Sequence, residues 1–189
     1  MFSHHSAELG EVRLHYVTAG SGARALVLLH GWPQSWWEWR RIMPALAEHF
    51  TVIAPDMRGL GDSSCPPGGY DKATVANDIW RLMSEVLGYQ NFYLVGHDWG
   101  GPVAYALAHA HMEAVEKLAI LDVVVPFGSA DDLTWGGKRW HHGFHWVQDL
   151  PEALVSGRER MYLSWFYNNL AYNPAAITPE DIDEYARAY

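Results

Sequence analysis

The hydrophobic pattern changes character about two thirds of the way along this sequence. In the first part, short apolar runs alternate with longer segments whose apolar residues recur at helical spacing. Apolar runs of four or five residues between turn signals are typical of strands buried on both faces of a sheet. Their alternation with helices predicts an α/β fold with a doubly wound, mostly parallel sheet. The predicted strands are residues 12–18, 25–29, 51–54, 92–95 and 118–121, and the predicted helices are residues 36–49, 74–87 and 102–110.

The later part of the chain is rich in aromatic residues and histidine and has no further run of the strand type. Its spacing predicts helices near residues 137–148, 151–168 and 179–189. The sequence Thr178-Pro179-Glu180-Asp181 marks a helix start, since threonine caps, proline suits the first position and acids suit the first turn. We therefore expect a sheet-containing core at residues 1–125 and a helical domain at residues 126–189.

Composition and charge exclude several classes of protein. With 22 acidic against 13 basic residues, the chain carries a formal charge of −9. An acidic balance without a basic run argues against nucleic acid or an anionic membrane surface as a partner. No apolar stretch reaches the roughly 18 residues of a membrane span, and residues 1–6 lack the layout of a signal peptide. The single cysteine, Cys65, fits a reducing compartment, so a cytoplasmic location is expected.

Tryptophan is unusually frequent. Ten tryptophans occur among the 189 residues, and seven of them crowd at residues 32–39 and 135–146. Each buried aromatic side chain removes roughly 150–250 Å² from water, so packing in the core and between domains is one interpretation. The other is that some of these rings line an apolar substrate pocket.

The strongest chemical motif is Gly96-His97-Asp98-Trp99-Gly100, between a predicted buried strand and a small-residue helix. Small residues flanking one side chain fit the strained strand-to-helix turn that presents a nucleophile. The central residue is an aspartate, whose carboxylate is ionised at neutral pH and attacks an sp3 carbon directly to give an alkyl ester. We predict that Asp98 is a nucleophile. The alternative is an ordinary turn in which Asp98 caps the helix.

Two further features fall at the carboxyl ends of predicted strands, where ligands of such sheets bind. His30-Gly31-Trp32-Pro33 follows one strand, and in this architecture such a loop supplies one backbone N–H of an oxyanion hole. The backbone amides of Trp32 and Trp99 are the predicted donors. Asp122 ends another strand, where a carboxylate either orients a catalytic histidine or simply caps the strand.

These motifs resemble the Asp-nucleophile branch of the α/β-hydrolase superfamily, which contains epoxide hydrolases, haloalkane dehalogenases and haloacetate dehalogenases. The resemblance is carried by residues 30–39, 56–63 and 96–101 and extends over nearly the whole chain. It implies an α/β-hydrolase fold with a helical cap inserted after the sixth strand of the family. It also implies an epoxide hydrolase that acts on a small apolar epoxide without a cofactor.

The resemblance further implies a two-step mechanism. Asp98 attacks an epoxide carbon while a cap residue protonates the departing oxygen, and an acid-oriented histidine then activates water to hydrolyse the ester. Trp140-His141 matches a donor pair of some members, so His141 is the candidate ring-opening donor; the alternative is a partly exposed helical histidine. Asp122 matches the triad acid of members that carry it before the cap. The expected pocket residues are His30, Trp36, His97 and Trp140.

A metal site is a weaker interpretation of the same segment. His141 and His145 lie four residues apart and would share a helical face, as paired metal ligands do. No carboxylate completes a ligand set there, so we expect no metal.

A halide is the alternative substrate. The sequence ending in Asp122 resembles haloacetate dehalogenases, but those enzymes hold the substrate carboxylate with arginine just after the nucleophile, where this chain has Trp99 and no arginine. An anionic substrate thereby loses its counter-charge. Haloalkane dehalogenases have tryptophan after the nucleophile, as here, but usually asparagine at the position of Trp32. The epoxide is therefore the favoured partner, and a homodimer is a family-level expectation.

The general base of the family is a histidine near the C-terminus, beyond two further strands. None of the eleven histidines of this sequence occupies that place. We therefore expect a chain that lacks the family's C-terminal portion and hydrolyses the ester very slowly. A non-catalytic protein that binds small molecules is the alternative of a different class.

Overall fold

In a computed structural model, which describes residues 1–123, 125 and 139–189, six strands form one mixed sheet. The strands are β1 (Ser3–Glu8), β2 (Arg13–Ala19), β3 (Ala25–Leu29), β4 (Thr51–Pro55), β5 (Phe92–His97) and β6 (Val115–Leu121). They lie in the order β1-β2-β4-β3-β5-β6. The β1–β2 and β2–β4 pairs are antiparallel, and the β4–β3, β3–β5 and β5–β6 pairs are parallel. The four parallel strands bring their carboxyl ends to one edge of the sheet.

The chain divides into two compact units. The sheet unit comprises Met1–Val125 with Ala188–Tyr189, and the helical unit comprises Pro126–Arg187. No helix among the described residues is long and apolar enough to cross a lipid bilayer.

The hydrophobic core lies on both faces of the sheet. All five residues of β3 are buried, and they alternate between two clusters of apolar side chains. Ala25, Val27 and Leu29 belong to one cluster, while Leu26 and Leu28 belong to the other. Since successive side chains of a strand point to opposite faces, this confirms the prediction that residues 25–29 form a strand buried on both sides.

The α-helices of the sheet unit are α1 (Met43–Leu46), α2 (Lys72–Arg81) and α3 (Gly100–Ala110), and a π-helical segment, Leu82–Val86, continues α2. The helix predicted over residues 36–49 is instead a 3₁₀ helix, Trp36–Arg41, followed by α1. Pro44 lies in the first turn of α1, where a residue without an N–H is tolerated. Because proline cannot donate the hydrogen bond of a helix interior, it prevents one continuous helix over residues 36–49. Asp71 caps α2, accepting hydrogen bonds from the Thr74 amide (3.0 Å) and hydroxyl (2.6 Å), so this helix begins two residues earlier than predicted.

Strand β6 departs from the sequence prediction. Residues 118–121 form a strand, as expected, but Leu118 and Leu121 are 39% and 43% exposed rather than buried. Within the described residues, β6 is an edge strand that pairs only with β5, so its side chains have neighbours on one side alone.

The helical unit contains α4 (Trp140–His145), α5 (Leu150–Val155), α6 (Glu159–Leu170) and α7 (Pro179–Arg187). The predicted helix near residues 137–148 is described only from residue 139 onward. The predicted helix 151–168 is divided into α5 and α6 at Gly157, which has a left-handed φ of +75°. The start of α7 is confirmed by reciprocal bonds: the Thr178 amide donates to Asp181 Oδ2 (3.0 Å), and the Asp181 amide donates to Thr178 Oγ1 (3.3 Å).

Candidate active site

Asp98 lies on a tight turn between β5 and α3. Its φ is +46°, in the left-handed region that non-glycine residues rarely adopt. Within the turn, a Cβ on Gly96 would lie 2.3 Å from the Gly100 carbonyl oxygen, and a Cβ on Gly100 would lie 2.4 Å from the Leu29 carbonyl oxygen at the end of β3. These contacts require glycine on each side. The geometry is that of a turn that holds one side chain at a strained corner.

The loop after β3 runs directly against the Asp98 side chain. A Cβ on Gly31 would lie 2.6 Å from the Asp98 Cβ, so only glycine permits this approach. The next amide, that of Trp32, donates a hydrogen bond to Asp98 Oδ1 at 2.9 Å. Trp99 immediately precedes α3, so its N–H belongs to a helix N-terminus, where backbone donors lack partners within the helix. Both amides predicted for an oxyanion hole thus lie in the two segments that meet at Asp98.

Glu38 links these two segments, and no sequence motif predicts this role. Its Oε2 accepts from the Gly31 amide (3.0 Å), and its Oε1 lies 2.8 Å from His97 Nδ1. One carboxylate therefore joins the loop before Trp32 to the residue before Asp98. Burial opposes the charged form of His97, but the bond to Glu38 and the charges of Glu38, Asp98 and Asp122 outweigh it and raise the pKa of His97.

Asp122 lies next to the end of the nucleophile strand. His97 and Leu121 are register partners on β5 and β6, so Asp98 and Asp122 follow neighbouring positions of two parallel strands. The Asp98 amide donates to the Leu121 carbonyl (3.1 Å), which ties the two strand ends together. Asp122 also has a left-handed φ, +54°, and its side chain is exposed. This is a position from which a carboxylate could orient a histidine, and that role stays a prediction.

The four predicted pocket residues have different surroundings. His30 is fully buried: its Nδ1 donates to the Gly31 carbonyl (3.0 Å) and its Nε2 accepts from the Met57 amide (3.1 Å). Both ring nitrogens are thus used to hold the main chain, so His30 is a structural residue. Trp36 is 4% exposed and packs edge-on against Phe2, so it contributes to the core instead of lining a pocket. His97 faces Glu38, as described above.

The fourth, Trp140, lies in the helical unit with His141. Trp140 stacks on Phe166 with ring centroids 5.6 Å apart, and the His141 ring meets the edge of the same Phe166 at 5.1 Å. His141 is half-buried in this aromatic cluster. Trp135, from the same tryptophan-rich stretch, lies outside the described residues.

A cavity of about 270 Å³ opens beside the nucleophile turn, within the sheet unit. The rings of Trp32 and Trp99 form part of its wall, which agrees with the idea that some tryptophans line a pocket. Trp32 belongs to the tryptophan-rich stretch 32–39, whereas Trp99 lies outside both stretches, and neither was among the expected pocket residues. The other lining residues of the cavity are Met57, Arg58, Gly59, Leu60, Tyr70, Lys72, Val75 and Val103.

One group of potential metal ligands occurs in the described part of the chain. Ligand atoms of His15, Asp56 and Asp62 lie within 4.8 Å of one another. The buried Asp56 carboxylate, however, already accepts from His15 Nδ1 (2.7 Å), the Trp36 amide (2.7 Å) and the Asp62 amide (3.0 Å). A carboxylate with this many donors is satisfied without a cation. The group therefore braces the loop after β4.

Comparison with known proteins places this architecture in a family. The family model described as alpha/beta hydrolase fold matches residues 24–171. A soluble epoxide hydrolase of Corynebacterium sp. (strain C12) is 48% identical over 98% of this chain, and a fluoroacetate dehalogenase of Burkholderia sp. is 32% identical over 100% of it. The crystal structure of Cfl2 from Burkholderia cenocepacia superposes with a TM-score of 0.87 at 42% identity, over 98% of this chain and 65% of that one.

The ligand-free structure of the epoxide hydrolase CorEH also superposes with a TM-score of 0.87, at 45% identity, over 100% of this chain and 68% of that one. The chain spans 66% and 64% of the lengths of the Corynebacterium and Burkholderia relatives. The matched residues include the strands β3 to β6 and the turn that carries Asp98. The chain belongs to the α/β-hydrolase fold family.

Proposed function

We propose that the protein is an epoxide hydrolase-like hydrolase in which the Asp98 carboxylate is the nucleophile. One observation carries this proposal: the Trp32 amide already donates to Asp98 Oδ1 at 2.9 Å. That oxygen is thereby held as the future carbonyl oxygen of an ester, which leaves Oδ2 to attack. The 48% identity to a soluble epoxide hydrolase supports the same assignment.

The proposed first step forms one bond and breaks one. An Asp98 oxygen bonds to an epoxide carbon, the ring C–O bond breaks, and the ring oxygen takes a proton to become a hydroxyl. The product is a hydroxyalkyl ester of Asp98. We propose His141 as the proton donor. Its neighbours Trp140 and Phe166 give it an aromatic setting suited to an apolar substrate.

In the proposed second step, water attacks the ester carbonyl carbon of Asp98 and gives up a proton to the activating base. The bond from that carbon to the alkyl oxygen then breaks, the alkyl oxygen takes up the proton, and the diol leaves with the Asp98 carboxylate restored. The amides of Trp32 and Trp99 would stabilise the oxyanion that forms, and Asp122 would orient the histidine that activates the water. We propose that none of the histidines within these 189 residues performs this task, and loss of such a base costs roughly 10²–10⁴ in rate. We therefore expect the 189-residue chain to accumulate the ester.

Displacement of a halide by the same carboxylate is a second candidate. It is supported by the 32% identity to a fluoroacetate dehalogenase. In that reaction the carbon–halogen bond breaks, and the halide leaves as an anion without needing a proton.

The test is the intact mass of the chain after incubation with styrene oxide. We expect a gain equal to the whole epoxide, absent in Asp98→Asn. Asp149→Asn is the matched control, because Asp149 also has a left-handed φ, +65°, but lies in the helical unit. A folded wild-type chain that gains no mass and releases no diol, or an adduct that persists in Asp98→Asn, would contradict the proposal.

A parallel incubation with chloroacetate distinguishes the two substrates. Halide displacement adds the carboxymethyl group without chlorine and releases chloride, whereas an epoxide enzyme gains mass only from styrene oxide. A short-lived adduct accompanied by steady release of the diol would keep Asp98 as nucleophile and overturn the expectation of a slow second step.

A further inference from the structure

The cavity beside the nucleophile turn has the walls of a small-molecule site. It is formed by the loops after β3 and β4 and by the starts of α2 and α3. Its volume of about 270 Å³ suits a compact ligand, and most of its lining is apolar, with the two indole rings of Trp32 and Trp99. Such a wall with few polar groups is typical of sites that bind an apolar body and orient it by one polar contact.

Two of the three polar side chains in the wall are already satisfied. Arg58 donates through Nε to Asp78 Oδ2 (2.7 Å) and through Nη2 to Asp78 Oδ1 (2.9 Å), and both side chains are buried. The Tyr70 hydroxyl donates to the Pro66 carbonyl (2.6 Å). Neither group offers a free charge to a ligand.

Lys72 is different. Its ammonium lies 3.2 Å from the centroid of the Trp99 ring, on the face of the indole. Among the described residues, no carboxylate forms a salt bridge with it, although the negative charges of Asp98 and Asp71 favour its charged form. The cavity therefore contains one cation whose only close partner is an aromatic face.

The environment of Lys72 disfavours its charge. Burial lowers the pKa of Lys72 to about 8, while the charges of Asp98 and Asp71 act in the opposite direction. Arg58 and Tyr70 are the other titratable groups in the wall. An anion placed against the ammonium would stabilise its positive charge, which the low dielectric of the cavity otherwise disfavours.

We propose that this cavity is a binding site for a small apolar monocarboxylate, whose carboxylate pairs with Lys72 and whose apolar body lies against Trp32 and Trp99. A single ammonium is a point charge, and the one arginine fork in the wall is occupied by Asp78, so one carboxylate is favoured over a phosphate. The nearby Asp98 carboxylate disfavours a second negative charge on the ligand. Lys72 thus supplies, from α2, the counter-charge that the residues after Asp98 lack.

The test is equilibrium binding of phenylacetate and of its neutral isostere phenylacetamide to the 189-residue chain, by titration calorimetry at pH 7. We expect the acid to bind at least roughly tenfold more tightly, which is the size of one charge-assisted hydrogen bond. Lys72→Met should abolish that preference while leaving the amide affinity unchanged, and Lys72→Arg should restore part of it. Raising the pH to about 9.5, above the pKa of Lys72, should weaken binding of the acid alone.

Lys117→Met is the matched control, because Lys117 also lies over an aromatic ring, that of Tyr93 at 5.3 Å, but does not line the cavity. It should leave both affinities unchanged. Equal affinity for acid and amide, no binding of either, or a preference that persists in Lys72→Met would overturn the proposal. The measurement involves no epoxide and no reaction at Asp98, so its failure leaves the proposed nucleophile untouched, and failure of the mass experiment leaves this site untouched.

Discussion

The sheet unit and the helical unit hold their candidate functional residues in different ways. In the sheet unit, Asp98 and Trp32 are positioned by main-chain contacts: the ladders of β3, β5 and β6, the Asp98–Leu121 bond and glycines that admit no side chain. In the helical unit, Trp140 and His141 are positioned by ring packing around Phe166. Backbone placement is set by the fold itself, whereas ring packing depends on the size and shape of each neighbouring side chain.

The two units also differ in how far they bury what they contain. In the sheet unit, β3 is wholly buried and even the ion pair of Arg58 with Asp78 is excluded from water. In the helical unit, Leu163 is fully buried on α6, while Trp146 is 78% exposed. The same type of interaction should therefore carry different free energies in the two units.

The ion pairs should show the largest difference. Asp78→Ala would leave the Arg58 guanidinium buried without its partner and should lower the free energy of unfolding by about 4 kcal/mol. Asp183→Ala removes the partner of Arg160 in an exposed pair of the helical unit, and should cost less than about 1 kcal/mol. Urea denaturation of both variants measures the two values. Equal losses would show that burial does not distinguish the two pairs.

The glycines should show the next largest difference. Gly100→Ala would place a Cβ 2.4 Å from the Leu29 carbonyl oxygen and should lower the free energy of unfolding by about 3 kcal/mol. Gly157→Ala meets no atom within 4 Å and pays only for its left-handed φ, about 1 kcal/mol. Thermal unfolding of the pair provides the comparison, and a Gly157→Ala variant that is destabilised as much as Gly100→Ala would remove the distinction.

The smallest difference concerns two histidines whose pKa values are shifted in opposite directions. The pKa of His97 is raised, so its pairing with Glu38 contributes stability that is fully present below the ordinary histidine pKa and is lost as the pH rises through the raised value. Glu38→Gln should therefore cost about 1 kcal/mol near pH 6 and progressively less at higher pH. Denaturation curves between pH 5.5 and 9, values chosen to span roughly the histidine range, measure this trend.

His145, in the helical unit, is the opposing case. Burial first, and then the charge of His142, lower its pKa, while Glu152 opposes the shift. The unfolded chain therefore takes up this proton first, and stability falls as the pH drops below the ordinary histidine pKa. His145→Gln should reduce that loss of stability at low pH.

A cost of Glu38→Gln that does not change with pH would mean that Glu38 acts only through its bond to the Gly31 amide.

Much of the sheet unit was predictable because its signals are local. Residues 25–29 and 51–54 form strands as expected, since a short run of apolar residues between turns is typical of a strand buried on both faces of a sheet. β1 was missed because Ser3, His4 and Ser6 carry no apolar alternation, and this edge strand is held by backbone pairing with β2. The apolar composition of β6 predicts a buried strand, but composition does not reveal that a strand lies at the edge of the sheet.

The candidate site divides along the same line. Local sequence patterns predict the turn around Asp98, the loop at Trp32 and the helix start at Thr178, because each element is formed by residues within a few positions of one another. Only the tertiary structure showed that Glu38 joins His97 to Gly31, that His30 is fully occupied by main-chain groups, and that Lys72 lies over Trp99. Those contacts join segments far apart in the chain, and side-chain type alone does not specify which distant partner a charge or a ring will meet.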